Sequence, residues 1–156
     1  MNDASNGAAA AGGATVFKRI SLSIAALVAF TLPVWAEAAP NMIGTWKGIA
    51  EGAVLVGSSP YRSGEPGKAT FSSKEVEFIF EIDKQEGGGF SGKMQGLTRS
   101  ETLIGHLYPD GKTGLMLDDD GQFFITLSGP DTMSVCYNHT KPDSKTISCW
   151  TAKRSK

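Results

Sequence analysis

Two cysteines and two histidines are the scarcest reactive side chains in this sequence. Cys136 lies in Ser134-Val135-Cys136-Tyr137-Asn138 and Cys149 in Thr146-Ile147-Ser148-Cys149-Trp150, and both segments read as strands. The stretch from His139 to Ser144 between them is rich in turn formers. A hairpin centred near Pro142 and Asp143 sets Cys136 opposite Cys149. Directly opposed residues bring their Cβ atoms about 4.5–5.5 Å apart, near disulfide range. A structural disulfide is therefore expected, stabilising by roughly 3 kcal/mol in the chain-entropy model. The CxxC spacing of a redox pair is absent. Two cysteines with distant histidines do not make a zinc site either.

The remaining candidates do not converge on a reaction. His106, in Ile104-Gly105-His106-Leu107-Tyr108, lacks the nucleophile and orienting partner that a catalytic base needs, and a surface or partly packed position is expected. His139 is expected to be solvated in the last hairpin loop. Asp118-Asp119-Asp120-Gly121 offers carboxylates that suit a hard cation, but it lacks the spaced ligands and closing Glu of a calcium loop; a tight turn is expected. Gly87 to Gly89 lacks the helix that a phosphate loop feeds. Asn138-His139-Thr140 matches a glycosylation sequon. With no acid, base, nucleophile or metal set in one place, the expectation is a protein that is not an enzyme and uses no cofactor and no metal.

The elements that position these residues are strands. Val76, Phe78, Phe80 and Ile82 alternate with Glu75, Glu77, Ile79 and Glu81, a period of two with one apolar and one largely acidic face. Asn41 to Val56 reads as a first, Gly-bent strand and Gly57 to Ser73 as a long loop. Further strands follow at Phe90–Leu97, Leu103–Tyr108, Thr113–Leu117 and Gln122–Ser128, then one around Cys136 and one over about Lys145–Lys153. Turns such as Pro109-Asp110-Gly111 and Asp120-Gly121 join them. Eight strands in a meander bury one face and lose both edges by closing into a barrel. The expected fold is all-β, an eight-stranded antiparallel up-and-down barrel, with an open β-sandwich as the alternative.

The chain ahead of this domain has a different character. Residues 1–15 are mostly small and polar and are assigned no structure. Lys18-Arg19, the apolar run Ile20 to Trp35 broken by Pro33, and Ala36-Glu37-Ala38 together form the basic flank, core and small-residue cleavage pattern of a secretory signal. The apolar run is short for a spanning helix of about 20 residues. Residues 1–38 are thus read as a tail plus signal helix and 39–156 as a single barrel domain, secreted or periplasmic. Membrane contact is expected only through the signal segment if it stays uncleaved. Asp3, Lys18, Arg19 and Glu37 cancel, so the net charge of −1 survives cleavage. A balance that even gives no footprint for nucleic acid.

Gly44-Thr45-Trp46 opening the first of these strands resembles the lipocalin and avidin group of exported barrels. The resemblance implies that Trp46 packs across the closed end with a basic residue, Lys153 or Arg154, over it in cation–π contact. It also implies a lid at the long loop and the capacity to bind a ligand. No helix follows the last strand, as in avidins, and avidin's polar ligand contacts do not map onto this chain.

If Cys136 and Cys149 face outward, Tyr137 and Trp150 face inward. With Trp46, Phe78, Phe80 and Phe90 they make an aromatic interior, either a filled core or the lining of a pocket. The expected function is a non-enzymatic exported barrel that binds a small apolar ligand inside. The alternative is a structural or protein-interaction module of the envelope or periplasm, such as an inhibitor, with a filled core and a protein partner.

Overall fold

The computed structural model describes residues 38–155, so the expected signal segment lies outside the described residues. Ten strands follow one another: β1 (Gly44–Ala50), β2 (Ala53–Val56), β3 (Thr70–Ser72), β4 (Val76–Glu86), β5 (Gly89–Gln95), β6 (Ser100–Leu107), β7 (Thr113–Leu117), β8 (Gln122–Gly129), β9 (Thr132–Thr140) and β10 (Lys145–Arg154). All pairings are antiparallel, in the order β1-β4-β5-β6-β7-β8-β9-β10, and β10 pairs back onto β1. The sheet closes on itself as an eight-stranded barrel, so the sandwich alternative falls away. No helix occurs among the described residues.

The Gly-bent first strand is present and its bend has a purpose. Trp46 pairs with Arg154 and Gly48 with Ala152 on β10, but further on Val54 pairs with Ile147. The register slips by one residue, which marks a bulge at Glu51-Gly52. Beyond it the chain parts from β4 and pairs, as β2, with β3. The stretch read as pure loop from Gly57 to Ser73 therefore contains a short edge strand. Its three residues were too few, among prolines and glycines, to show a period.

Alternation fills the interior. Val76, Phe78, Phe80 and Ile82 of β4 are all buried, as are Met133 and Val135 of β9 and Trp150 and Ala152 of β10. Cys136 and Cys149 stand directly opposite one another and form the disulfide, on the outer wall with Cys149 exposed.

One end of the barrel is plugged. Trp46 is fully buried and its indole N–H donates to the Met42 carbonyl at 2.9 Å. Arg154 lies over the indole with its guanidinium carbon 4.2 Å from the ring centre. Arg154 also donates to the carbonyls of Asn41, Ile43 and Pro130 and to the Asp131 carboxylate. Lys153, the other candidate, faces outward and is exposed.

Candidate functional site at the lidded end of the barrel

The six aromatic residues singled out in the sequence all turn inward, and five of them are buried, with Tyr137 half-buried. They pack on each other. Phe78 stacks on Trp150 with ring centres 4.9 Å apart, Phe80 lies parallel to Trp150 at 6.4 Å, and Phe123 meets Phe80 edge-on at 5.3 Å and Tyr137 at 4.9 Å. Phe90 and Trp46 belong to the same cluster. Ring-to-ring separations of this size leave the centre of the barrel occupied by its own side chains. Open depressions lie at its two ends. One of about 660 Å³ sits at the plugged end between Pro40, His106, Tyr108, Leu127 and Pro130. One of about 540 Å³ lies beside the turn Asp118–Gly121 at the opposite end.

That opposite end carries the polar chemistry. The loops that meet there are Gly57–Glu75, Gly96–Arg99, Asp118–Gly121 and Lys141–Ser144. The first folds over the end as a lid. Arg62, only 4% exposed, holds it down by donating to the carbonyls of Ala50 at 2.8 Å and Lys74 at 2.8 and 3.1 Å. These two carbonyls sit where β1 and β4 part, so the guanidinium fills in for missing ladder bonds. Burial pushes the Arg62 pKa down. The neighbouring Tyr61 packs edge-on against Phe78 at 5.2 Å and roofs the aromatic stack.

Under the lid, carboxyl oxygens of Glu101, Asp118 and Asp120 lie within 4.8 Å of one another. Glu101 is 6% exposed; one oxygen pairs with Arg99 at 3.0 Å and the other is buried without a partner. Asp118 accepts from the backbone N–H groups of Gly121 (2.6 Å) and Asp120 (3.2 Å), so the expected tight turn is present. Asp120 accepts from the Tyr137 hydroxyl at 2.9 Å and from Lys141 at 3.2 Å, and faces Arg99 at 3.5 Å. Burial, then the neighbouring aspartates, raise the Glu101 pKa against the pull of Arg99. Burial likewise raises that of Asp118, against its two backbone hydrogen bonds. Burial opposes the Asp120 charge too, but the Tyr137 hydroxyl and Lys141 outweigh it and hold its pKa low. Burial and the Glu101 charge push the Tyr61 phenol up to about 12. Its hydroxyl is buried with no partner.

His139 is not in the hairpin loop. β9 runs on to Thr140, and His139 is its last inward residue, 4% exposed, in phase with Val135 and Tyr137. Its Nε2 lies 2.9 Å from the Ser144 hydroxyl and its Nδ1 3.5 Å from Asp120. Serine, histidine and aspartate thus stand in the order of a hydrolytic triad. The geometry departs from one at two points. The Nδ1 to carboxylate distance exceeds a hydrogen bond, because Tyr137 holds the Asp120 oxygen. Ser144 is 7% exposed, and the adjacent depression is walled by His139 and Asp120 without it. His106 lies at the plugged end, exposed, with Nδ1 against the Leu107 carbonyl.

Tyr61, Arg99, Glu101, Lys141 and the buried state of His139 were not singled out in the sequence. Two signals existed. Glu101 shares the inward phase of Leu103 and Leu107, and a carboxylate on an apolar face is unusual. Gly96 and Gly121 leave room for phenols: a Cβ on either would fall 2.5 Å from the hydroxyl of Tyr61 or Tyr137.

No family model matches this chain, and no curated protein does. A search of solved structures returns the S-type phycobiliprotein lyase CPES from Guillardia theta, at 14% identity and a TM-score of 0.33, over 74% of this chain and 89% of that one. At that score the barrel rests on its own strand pairings.

Proposed function

We propose that this chain is a non-enzymatic binding barrel, working outside the cytoplasm, whose ligand seats at the lidded end through a cationic group. The observation that carries this reading is Glu101. Its carboxylate is almost fully buried, yet one oxygen has no donor. An unmatched buried polar group costs about 1–3 kcal/mol, more when charged. Such a cost is retained where a ligand supplies the missing partner. Three carboxylates (Glu101, Asp118 and Asp120) stand against two cations (Arg99 and Lys141), so the local charge favours a cation. We seat the ligand under the roof formed by Tyr61 rather than in the interior, where an apolar ligand was expected, because the aromatic rings pack against one another there. The exported setting is supported by the signal-like N-terminal pattern and by the disulfide.

The test is an amide NMR titration with putrescine, a small diamine, and separately with dodecanoate, an apolar chain. Shifts under putrescine confined to Tyr61, Glu101, Asp118 and Asp120 support the reading. Shifts under dodecanoate centred on Phe78 and Phe80 would refute it in favour of an interior apolar site. Silence toward both would leave the protein-interaction module.

The alignment of Ser144, His139 and Asp120 supports a second reading, a serine hydrolase. Its test is covalent labelling by a fluorophosphonate. Labelling that disappears in Ser144→Ala would establish it, and no labelling of the folded protein would remove it.

A further inference from the structure

We propose that the anchoring cation at the lidded end is a divalent metal ion of the calcium class, held between Glu101, Asp118 and Asp120. This rests on the binding reading above and names the ligand of the same site. Three carboxyl oxygens from β6 and from the β7–β8 turn already lie within 4.8 Å of one another. Hard cations take such oxygen sets, completed by water, at about 2.3–2.6 Å. An acidic cluster alone would not suffice, since the Asp118–Gly121 turn accounts for one of its members. Two further observations point to a missing partner. The second Glu101 oxygen is buried and unmatched. The imidazole of His139, outside the acidic set and 4% exposed, aims an unmatched Nδ1 at Asp120 from 3.5 Å.

The present counter-ions are replaceable. Arg99 and Lys141 reach the carboxylates from side chains 44% and 49% exposed, so both swing into water at little cost. A metal ion then takes over their role from inside the cluster, where screening is weaker. Competition from Arg99 sets a modest affinity, in the range of about 10⁻⁴–10⁻³ M typical of extracellular calcium modules. Asp119, exposed at the tip of the same turn, takes no part.

The experiment is calorimetric titration of calcium chloride into the protein recovered from its host with the disulfide formed. Terbium luminescence excited through Tyr61, Tyr137 and Trp150 gives an independent reading. Saturable binding is expected, at least ten-fold weaker in Glu101→Gln and in Asp118→Asn and unchanged in Asp119→Asn. Arg99→Gln is expected to bind several-fold more tightly, because it removes the competitor. That gain also guards against variants that merely fail to fold. Binding that is equally lost in Asp119→Asn would overturn the proposal, as ions would then be condensing on the turn. No calcium binding with putrescine still bound would overturn the metal and leave the binding site. No binding of either would overturn both.

Discussion

Removing the Arg62 guanidinium is expected to release the lid while leaving the barrel closed. Three hydrogen bonds run from it, two of them to the carbonyl of Lys74 and one to the buried carbonyl of Ala50. A hydrogen bond to a charged group is worth about 1.5–3 kcal/mol, and an unmatched buried carbonyl costs about 1–3 kcal/mol. Against this, Arg62→Ala relieves the burial of a charge, visible in the lowered pKa of the guanidinium. Lys74 lies at the surface, so water replaces its lost donors. The balance is a loss of about 3 kcal/mol, carried mainly by the Ala50 carbonyl and the packing of the loop. That is about a hundredfold in the opening equilibrium of residues 57–73. Hydrogen exchange followed by mass spectrometry reads it directly. Protection over 57–73 should fall by about that factor, while peptides from β5 to β9 keep theirs, since the closing pairs of β1 with β4 and β10 do not involve the loop. Unchanged exchange over 57–73 would refute the pinning role. A uniform fall across all strands would refute the independence of lid and wall.

Three other outcomes are expected. Replacing Cys136 and Cys149 by Ser should lower stability by about 3 kcal/mol in a urea melt, with the near-ultraviolet signal of the aromatic core retained, because the bond ties strands already in register on the outer wall. Burial raises the folded pKa of Glu101 above its unfolded value, so its contribution is full below about pH 4 and lost as pH rises through the folded pKa. Glu101→Gln should therefore melt higher than the parent at pH 7 and close to it at pH 4; a lower melting temperature at pH 7 would mean that the Arg99 pair outweighs the burial. Gly92→Ala puts a Cβ 1.9 Å from the Glu81 carbonyl oxygen, on the neighbouring strand and beside the bulge at Ile82 and Lys84. It should cost about 3 kcal/mol or more, against about 1 kcal/mol for Gly67→Ala, which meets nothing but a left-handed φ.

The strands were legible because a two-residue period survives in almost every one of them. Val76 to Ile82 shows it best, and Asp-Gly turns mark where it restarts. The disulfide was legible for the same reason, since hairpin register fixes which residues oppose. The lidded end was not. Its side chains come from β6, β9 and the loops between strands, and it takes the pairing of β6 with β7 to bring Glu101 to Asp118 and Asp120. Reading the fourth strand from Leu103 rather than Ser100 also left Glu101 in a turn, where a carboxylate draws no notice. Reading the last hairpin as starting at His139 hid the histidine likewise. Inward aromatics were found correctly, but sequence alone does not distinguish rings that line a space from rings that fill it; their separations do.

The network around Arg154 has a further consequence for how the molecule is presented. It ties Asn41 and Ile43, where the chain enters the barrel, to Pro130 and Asp131 beside the last strand. Entry and exit therefore share one pole, and Glu101, Tyr61 and the acidic turn occupy the other. A partner fused, or a surface attached, directly at Ala38 or Ser155 makes that pole a pedestal and leaves the lidded mouth on the far side, open to whatever diffuses past.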